Sequence, residues 1–175
     1  MISKKLNTML NDQVGNELAA SHQYVAIATF FDQAALPVLA KHYYAQALEE
    51  RDHAMRLVKI VLDMDGTLKI PAVPAPQMAF KDSLAAVKLA LDSEVRVTAQ
   101  INALVDQAVV DKDHLIKHAL DWFVNEQREE LTSATTLVQM VKRAGEGGMF
   151  FVETFIKDGG LAEPAAGAGG EGGAA

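Results

Sequence analysis

The chain has 175 residues, half of them hydrophobic, and no cysteine. One domain with a sizeable core is the simplest organisation, and disulfides, thiolate-bound zinc, iron–sulfur clusters and thiol nucleophiles are excluded. A formal charge of −7 disfavours nonspecific grip on nucleic acid or anionic membrane and suits a protein that handles cations.

An aromatic share of 6%, with abundant Ala, Leu, Glu and Lys, favours an all-α fold. The first eighteen residues contain no continuous apolar stretch, and the run from Leu18 to Phe31 is too short and polar to span a bilayer. Together with the lack of cysteine, this predicts a soluble, cytoplasmic protein with no membrane partner. The first helix should end before Leu36, because Pro37 opens a new helix and disfavours helical backbone in the residue before it. The second helix should stop at the sequence DMDG, with Gly66 as the left-handed cap. The next 12 residues, TLKIPAVPAPQM, hold three prolines and should be extended, reaching about 40 Å. A helix of 28 residues is about 42 Å long, so this linker can return along a whole helix. That predicts a four-helix bundle with one long crossover between the second and third helices.

The third helix should run from about Phe80 to Val110, and the fourth from an Asp113 N-cap to the sequence RAGEGG. A short amphipathic fifth helix, MFFVETFIK, should follow and stop at Gly159. The expected division is residues 1–144 for the bundle, 145–158 for the fifth helix and 159–175 for a flexible Gly/Ala-rich tail.

Stepping alternately by four and three residues, the spacing of a bundle seam, gives one stripe per helix. The first reads Leu6, Leu10, Gln13, Glu17, Ala20, Tyr24, Ile27, Phe31, and the second Leu39, Tyr43, Gln46, Glu50, His53, Leu57, Ile60, Met64. The third reads Phe80, Leu84, Val87, Leu91, Glu94, Thr98, Ile101, Val105, Ala108, and the fourth Ile116, Leu120, Phe123, Gln127, Glu130, Ala134, Leu137, Val141. Each stripe is apolar at its ends and polar at its middle. Glu17, Glu50 and Gln127 all lie 11 residues past the start of their stripe and 14 before its end, and Glu94 is midway in its own.

Side-by-side packing would therefore bring Glu17, Glu50, His53, Glu94, Gln127 and Glu130 to one height inside the bundle. Four unpartnered buried carboxylates would each cost several kcal/mol and would repel one another. No Lys or Arg lies on a stripe, so divalent cations are the simplest neutralising partners, and four carboxylates can hold two. Oxygen donors with one imidazole suit iron or manganese, with zinc as a competitor, and Glu50-x-x-His53 has the i, i+3 spacing of di-iron carboxylate bundles. Tyr24, two turns after Glu17, is either placed to hydrogen-bond a ligand carboxylate or donate an electron to oxidised metal, or is an ordinary core tyrosine. Glu49, Glu126 and Glu129 flank the ligands and form either a further metal site or a solvated acidic face. Trp122 lies off the stripe and reads as packing, while His22, His42, His114 and His118 read as structural or surface residues.

Glu17, Tyr24, Glu50-x-x-His53, Glu94 and the sequence NEQREE at 125–130 resemble the pattern of the bacterial non-haem ferritins, over about residues 1–158. The resemblance implies a ferritin-like homo-oligomeric shell of twenty-four subunits that oxidises Fe(II) with O2 or H2O2 at a di-iron ferroxidase centre within each subunit and stores the Fe(III) as mineral. By that likeness Glu17, Glu50 and His53 hold the first iron, with Glu50 bridging, and Glu94 holds the second with Glu130 and Glu17. Gln127 would bond to a metal-bound water or oxygen species, Glu49, Glu126, Glu129 and Glu130 would form a third iron site, and the fifth helix would line a fourfold axis.

Bacterioferritins are expected to carry a haem-ligating methionine where Arg51 stands, and a second Glu-x-x-His where this chain has Gln127-x-x-Glu130; haem is therefore not expected. The absence of cysteine separates the chain from rubrerythrins. A small-oligomer di-iron peroxidase or oxygenase is the alternative function with the same ligands, and a plain structural bundle is the alternative without metal.

Overall fold

The structure is a computed structural model that describes residues 2–161. Four long helices, α1 (Lys4–Gln33), α2 (Pro37–Asp63), α3 (Ser83–Val110) and α4 (His114–Ala144), are followed by a single 3-10 turn and a short α5 (Met149–Lys157). No strand occurs among the described residues. Pro37 occupies the first turn of α2, where its missing N–H costs nothing. The side chains of Ser3, Asp82 and Asp113 cap α1, α3 and α4 by accepting from the amides of Leu6, Ala85 and Ile116.

The crossover is observed, and its attachment explains its path. Asn7 and Asn11 donate to the Thr67 carbonyl and accept from the amides of Thr67 and Lys69. Further along, Pro71 packs on Gly15, where a Cβ would lie 2.7 Å from the ring, and the Gln23 and Gln77 pair exchanges two hydrogen bonds. Rising residue numbers in the linker thus meet rising residue numbers in α1. The strap climbs α1 and delivers Phe80 against Phe30, ring centroids 5.2 Å apart, at the end of the bundle where α2 began.

Three expectations are corrected. The left-handed residue after α2 is Asp65 (φ 55°), not Gly66. Gly66 is required for close approach instead: a Cβ there would lie 2.5 Å from Asn7 Oδ1 and 2.8 Å from the Val61 carbonyl oxygen. The third helix begins at Ser83 rather than Phe80, because Asp82 supplies the cap. Within α2 and α3 the buried face also drifts from the predicted stripe, to Val61 instead of Ile60, and to Val97 and Leu104 instead of Thr98 and Val105. The shifts run in opposite directions along the two helices, and Ile101 and Ala108 stay buried on the predicted stripe, so each shift reflects what the neighbouring helices present at that level rather than a cumulative drift of the repeat.

The proposed tail splits. Gly159 is left-handed (φ 80°) and ends α5, but Leu161 turns back and is buried against the core. Burial of that one large side chain anchors the segment, and residues 162–175 lie outside the described residues.

The apolar interior is two clusters rather than one. The cluster at the α5 end contains Ile27, Phe31, Leu39, Tyr43, Val87 and Leu137, and the opposite cluster contains Leu6, Leu10, Leu57, Ile101, Ile116 and Leu120. Between them lies the polar layer. The C-terminal segment contributes two contacts that the periodicity does not reveal. Glu153 of α5 accepts from the amides of Val38 and Leu39 at 2.7 and 3.2 Å, serving as the missing cap of α2, and Glu146 accepts from the Ser83 amide and hydroxyl. An N-terminal cap contributes about 1 kcal/mol. Glu153→Ala is therefore expected to speed hydrogen exchange of the Val38 and Leu39 amides by roughly five-fold, with the Ile101 and Leu120 amides unchanged, as read by exchange mass spectrometry.

Candidate metal centre

The middle of each helix carries the residues expected there. Glu17 from α1, Glu50 and His53 from α2, Glu94 from α3, and Gln127 and Glu130 from α4 are all buried, Glu17 and Glu50 with no exposed surface. The i, i+3 spacing of Glu50 and His53, and of Gln127 and Glu130, puts each pair on one face of its helix. His53 Nδ1 lies 3.4 Å from Glu50 Oε2 and 3.8 Å from Glu130 Oε1, so α2 and α4 meet across the site.

Hydrogen bonds orient some carboxylate oxygens and leave others free. Gln13 Nε2 donates to Glu17 Oε1 at 3.0 Å. Tyr24 donates its hydroxyl to Glu94 Oε1, and Gln127 donates its amide to Glu94 Oε2 and to Glu130 Oε2. Thr98 Oγ1 fixes Gln127 by donating to its Oε1 at 2.8 Å, which leaves the amide nitrogen facing the carboxylates. Glu17 Oε2, Glu130 Oε1 and both oxygens of Glu50 have no partner. Buried polar atoms without partners cost about 1–3 kcal/mol each, and four of them clustered at one height require an account.

Their arrangement supplies one. Glu17, Glu50 and His53 can each present a donor atom with all three atoms within 4.8 Å of one another, and so can Glu50, Glu94 and Glu130. Glu50 belongs to both sets and has both oxygens free, as a carboxylate between two cations requires. A third set joins His53, Glu126 and Glu130. Of the flanking acids, Glu126 is therefore part of the cluster, while Glu49 is tied to Gln46 and Glu129 is exposed and bonded to Arg128 at 3.0 Å. Oxygen donors with a single imidazole and no thiolate suit iron or manganese.

The electrostatics show how costly bare charge is in this layer. Burial pushes the Glu17 carboxyl up to about 7, against the lowering effect of its Gln13 bond. Burial first, then the charges of Glu130, Glu94 and Glu17, raise Glu50 well above the usual carboxylate range. Burial raises Glu130 likewise, with Glu94 as the next cause, and raises Glu94 despite its bonds from Tyr24 and Gln127. Outside this layer, burial and the Glu126 charge push Glu49 up to about 7. Burial pushes His53 down to about 4, leaving its ring neutral and able to bind a cation.

Three roles in the site were not assigned from the periodicity. Gln13 and Thr98 are on the stripes, but that they orient Glu17 and Gln127 emerges only from contacts. Trp122 meets the His53 ring edge-on at 5.3 Å. A signal existed for Gln13, which sits four residues before Glu17; none existed for Trp122, whose contact depends on the packing of α4 on α2.

Comparison with known proteins agrees with this architecture. Residues 7–144 match the Ferritin-like domain family. The chain belongs to the ferritin family. Ferritin BfrB of Mycolicibacterium smegmatis is 46% identical over 155 residues, covering 89% of this chain and 85% of the relative. A bacterial non-heme ferritin of Staphylococcus haemolyticus is 35% identical over 146 residues, covering 83% of this chain and 88% of its own length. Among solved structures, an open pore ferritin from the hyperthermophilic archaeon Archaeoglobus fulgidus superposes with a TM-score of 0.84 at 32% identity, covering 87% of this chain and 94% of that one.

The raised carboxyl pKa values fix a sign for stability in the absence of metal. A carboxyl whose folded pKa lies above its unfolded value of 4.5 contributes stability at low pH, and that stability is lost as pH rises through the folded value. The iron-free protein should thus gain melting temperature as pH falls from about 8 to about 6.5, a range in which His53 stays neutral in the folded state. For Glu17, raised from 4.5 to about 7, the stability withheld at the alkaline end is of the order of a few kcal/mol. Replacing Glu17 and Glu50 together by Gln should flatten the dependence in a calorimetric scan; an unchanged slope would place the raised groups elsewhere.

Proposed function

We propose that the protein is a ferroxidase and iron store, with Fe(II) as substrate and Fe(III) as cargo. The observation that carries this reading is the Glu50 carboxylate, wholly buried, without a protein partner at either oxygen, and common to two metal-sized ligand sets. Glu17, Glu50 and His53 take one iron and Glu50, Glu94 and Glu130 the other. Two Fe(II) each lose one electron to O2, which takes up two protons and leaves as H2O2; with H2O2 as oxidant the same two electrons and two protons yield water. Hard carboxylate oxygens favour Fe(III) over Fe(II), which supplies part of the driving force.

The surrounding residues serve that chemistry in distinct ways. Gln127 is neutral, so the layer carries one negative charge fewer than a fifth carboxylate would give, and its amide faces Glu94 and Glu130. In this reading it bonds a water or oxygen species beside the irons and lets product iron leave. Tyr24, bonded to Glu94, is placed to return one electron to the centre and pass its proton to that carboxylate. Glu126, with Glu49 and Glu129 beyond it, leads from the centre toward solvent as a third iron site on the way to the store. Iron binds in a homo-oligomeric shell of twenty-four copies, α5 lining its fourfold axes and acidic channels between subunits admitting Fe(II). No helix among the described residues is long and apolar enough to cross a membrane.

Separate substitutions Glu50→Ala and His53→Ala should reduce Fe(II) oxidation to the rate seen in buffer while the particle keeps its size, measured by ferric absorbance after aerobic Fe(II) addition and by light scattering. Native rates in both variants would reject the assignment, and a particle of only a few subunits with no stored mineral would favour a di-iron peroxidase or oxygenase. Gln127→Glu should slow iron turnover at the centre by about tenfold, read as a delayed second oxidation phase on repeated Fe(II) additions.

A further inference from the structure

The imidazole of His53 is met by aromatic rings edge-to-face. Among the described residues no hydrogen bond reaches either ring nitrogen, and the carboxylates of Glu50 and Glu130 lie 3.4 and 3.8 Å from Nδ1. A ligand histidine is usually oriented by a hydrogen bond on its second nitrogen, which fixes the ring plane. Here Trp122 meets the ring at 5.3 Å and 74° and Phe123 at 6.1 Å and 74°, both edge-to-face. Trp122 and Phe123 are themselves edge-to-face at 4.9 Å.

Trp122 is in turn held from above. The Arg56 guanidinium lies over the indole face, its Cζ 4.1 Å from the ring centroid, close enough for a strong cation–π contact. Arg56 follows His53 by three residues on α2 and so shares its face. The order is Arg56 on Trp122, Trp122 on His53, with the two ends on one helix and the indole inserted from α4. Both Arg56 and Trp122 are only part-buried, so without the guanidinium the indole has open solvent into which it can turn.

We propose that Arg56 and Trp122 are positioning residues for His53, a stack that sets the imidazole plane so that Nδ1 addresses the cation shared with Glu17 and Glu50. This rests on the metal-centre reading above. The stack acts on one side of the centre: Glu94 is oriented by Tyr24 and Gln127 and has no part in it. Loss of Arg56 should therefore weaken one metal step and spare the other.

The test uses Co(II), a cation that does not consume oxidant, added to the iron-free assembled protein. Trp122 is the chain's single tryptophan, so its emission reports this stack alone. In the native protein Co(II) should bind in two calorimetric steps, the step lost in His53→Ala also quenching Trp122. Arg56→Leu should weaken that step by about tenfold, shift the resting Trp122 emission to longer wavelength and leave the other step unchanged. Arg56→Lys, which keeps the charge over the ring, should recover most of the affinity, and Trp122→Phe should resemble Arg56→Leu in the calorimeter. If Arg56→Leu binds Co(II) as the native protein does, or loses both steps equally, the stack has no positioning role although the metal centre stands. If native protein and His53→Ala bind alike, both the metal-centre reading and the stack fall.

Discussion

The structure is organised around a conflict between charge and burial. Glu17, Glu50, Glu94 and Glu130 lie in one layer of the bundle with His53 and Gln127, and no lysine or arginine enters it. Water is excluded above and below by two separate apolar clusters. Carboxylates confined there must either take up protons or share cations, because the dry walls raise the free energy of each bare charge and of every repulsion between them. Stability of the fold therefore resides in the two apolar ends, and the layer between them is kept for what it can bind.

Donors within the layer are distributed unequally, and the inequality has chemical content. Glu94 is satisfied at both oxygens, Glu17 and Glu130 at one each, and Glu50 at neither. Gln13, Tyr24 and Thr98 hold side chains in place while leaving specific oxygens and one amide directed inward. Such a graded set, in which Glu50 is common to two groups of potential ligands, differs from a set of acids solvated on a surface, where every oxygen would find water.

The remaining architecture keeps four helix midpoints level. The crossover strap is tied to α1 by Asn7, Asn11 and Gln23, and it fixes where α3 starts. Glu153 and Glu146 attach the C-terminal segment to the first turns of α2 and α3. A slip of a single residue in any helix would displace its ligand by 1.5 Å along the axis and by 100° around it, so these distant ties bear on the geometry of the centre as much as on stability.

From residue order alone one can read the four long helices, the crossover, the short fifth helix, and the six polar positions at one level, because helix periodicity and proline sterics act over a few residues. Glu17, Glu50, His53, Glu94, Gln127 and Glu130 were legible for that reason, and the absence of basic residues on the stripes already implied a cation. The left-handed position at Asp65, the burial of Leu161 and the drift of the buried face to Val97 and Leu104 were not, since each is settled by what a neighbouring element presents. The same holds for which oxygen of each carboxylate is free, for the grouping of Glu126 with His53, and for the stack of Arg56 and Trp122. Periodicity reports which way a side chain faces; only the packed bundle, through distances between residues remote in the chain, decides what it meets there.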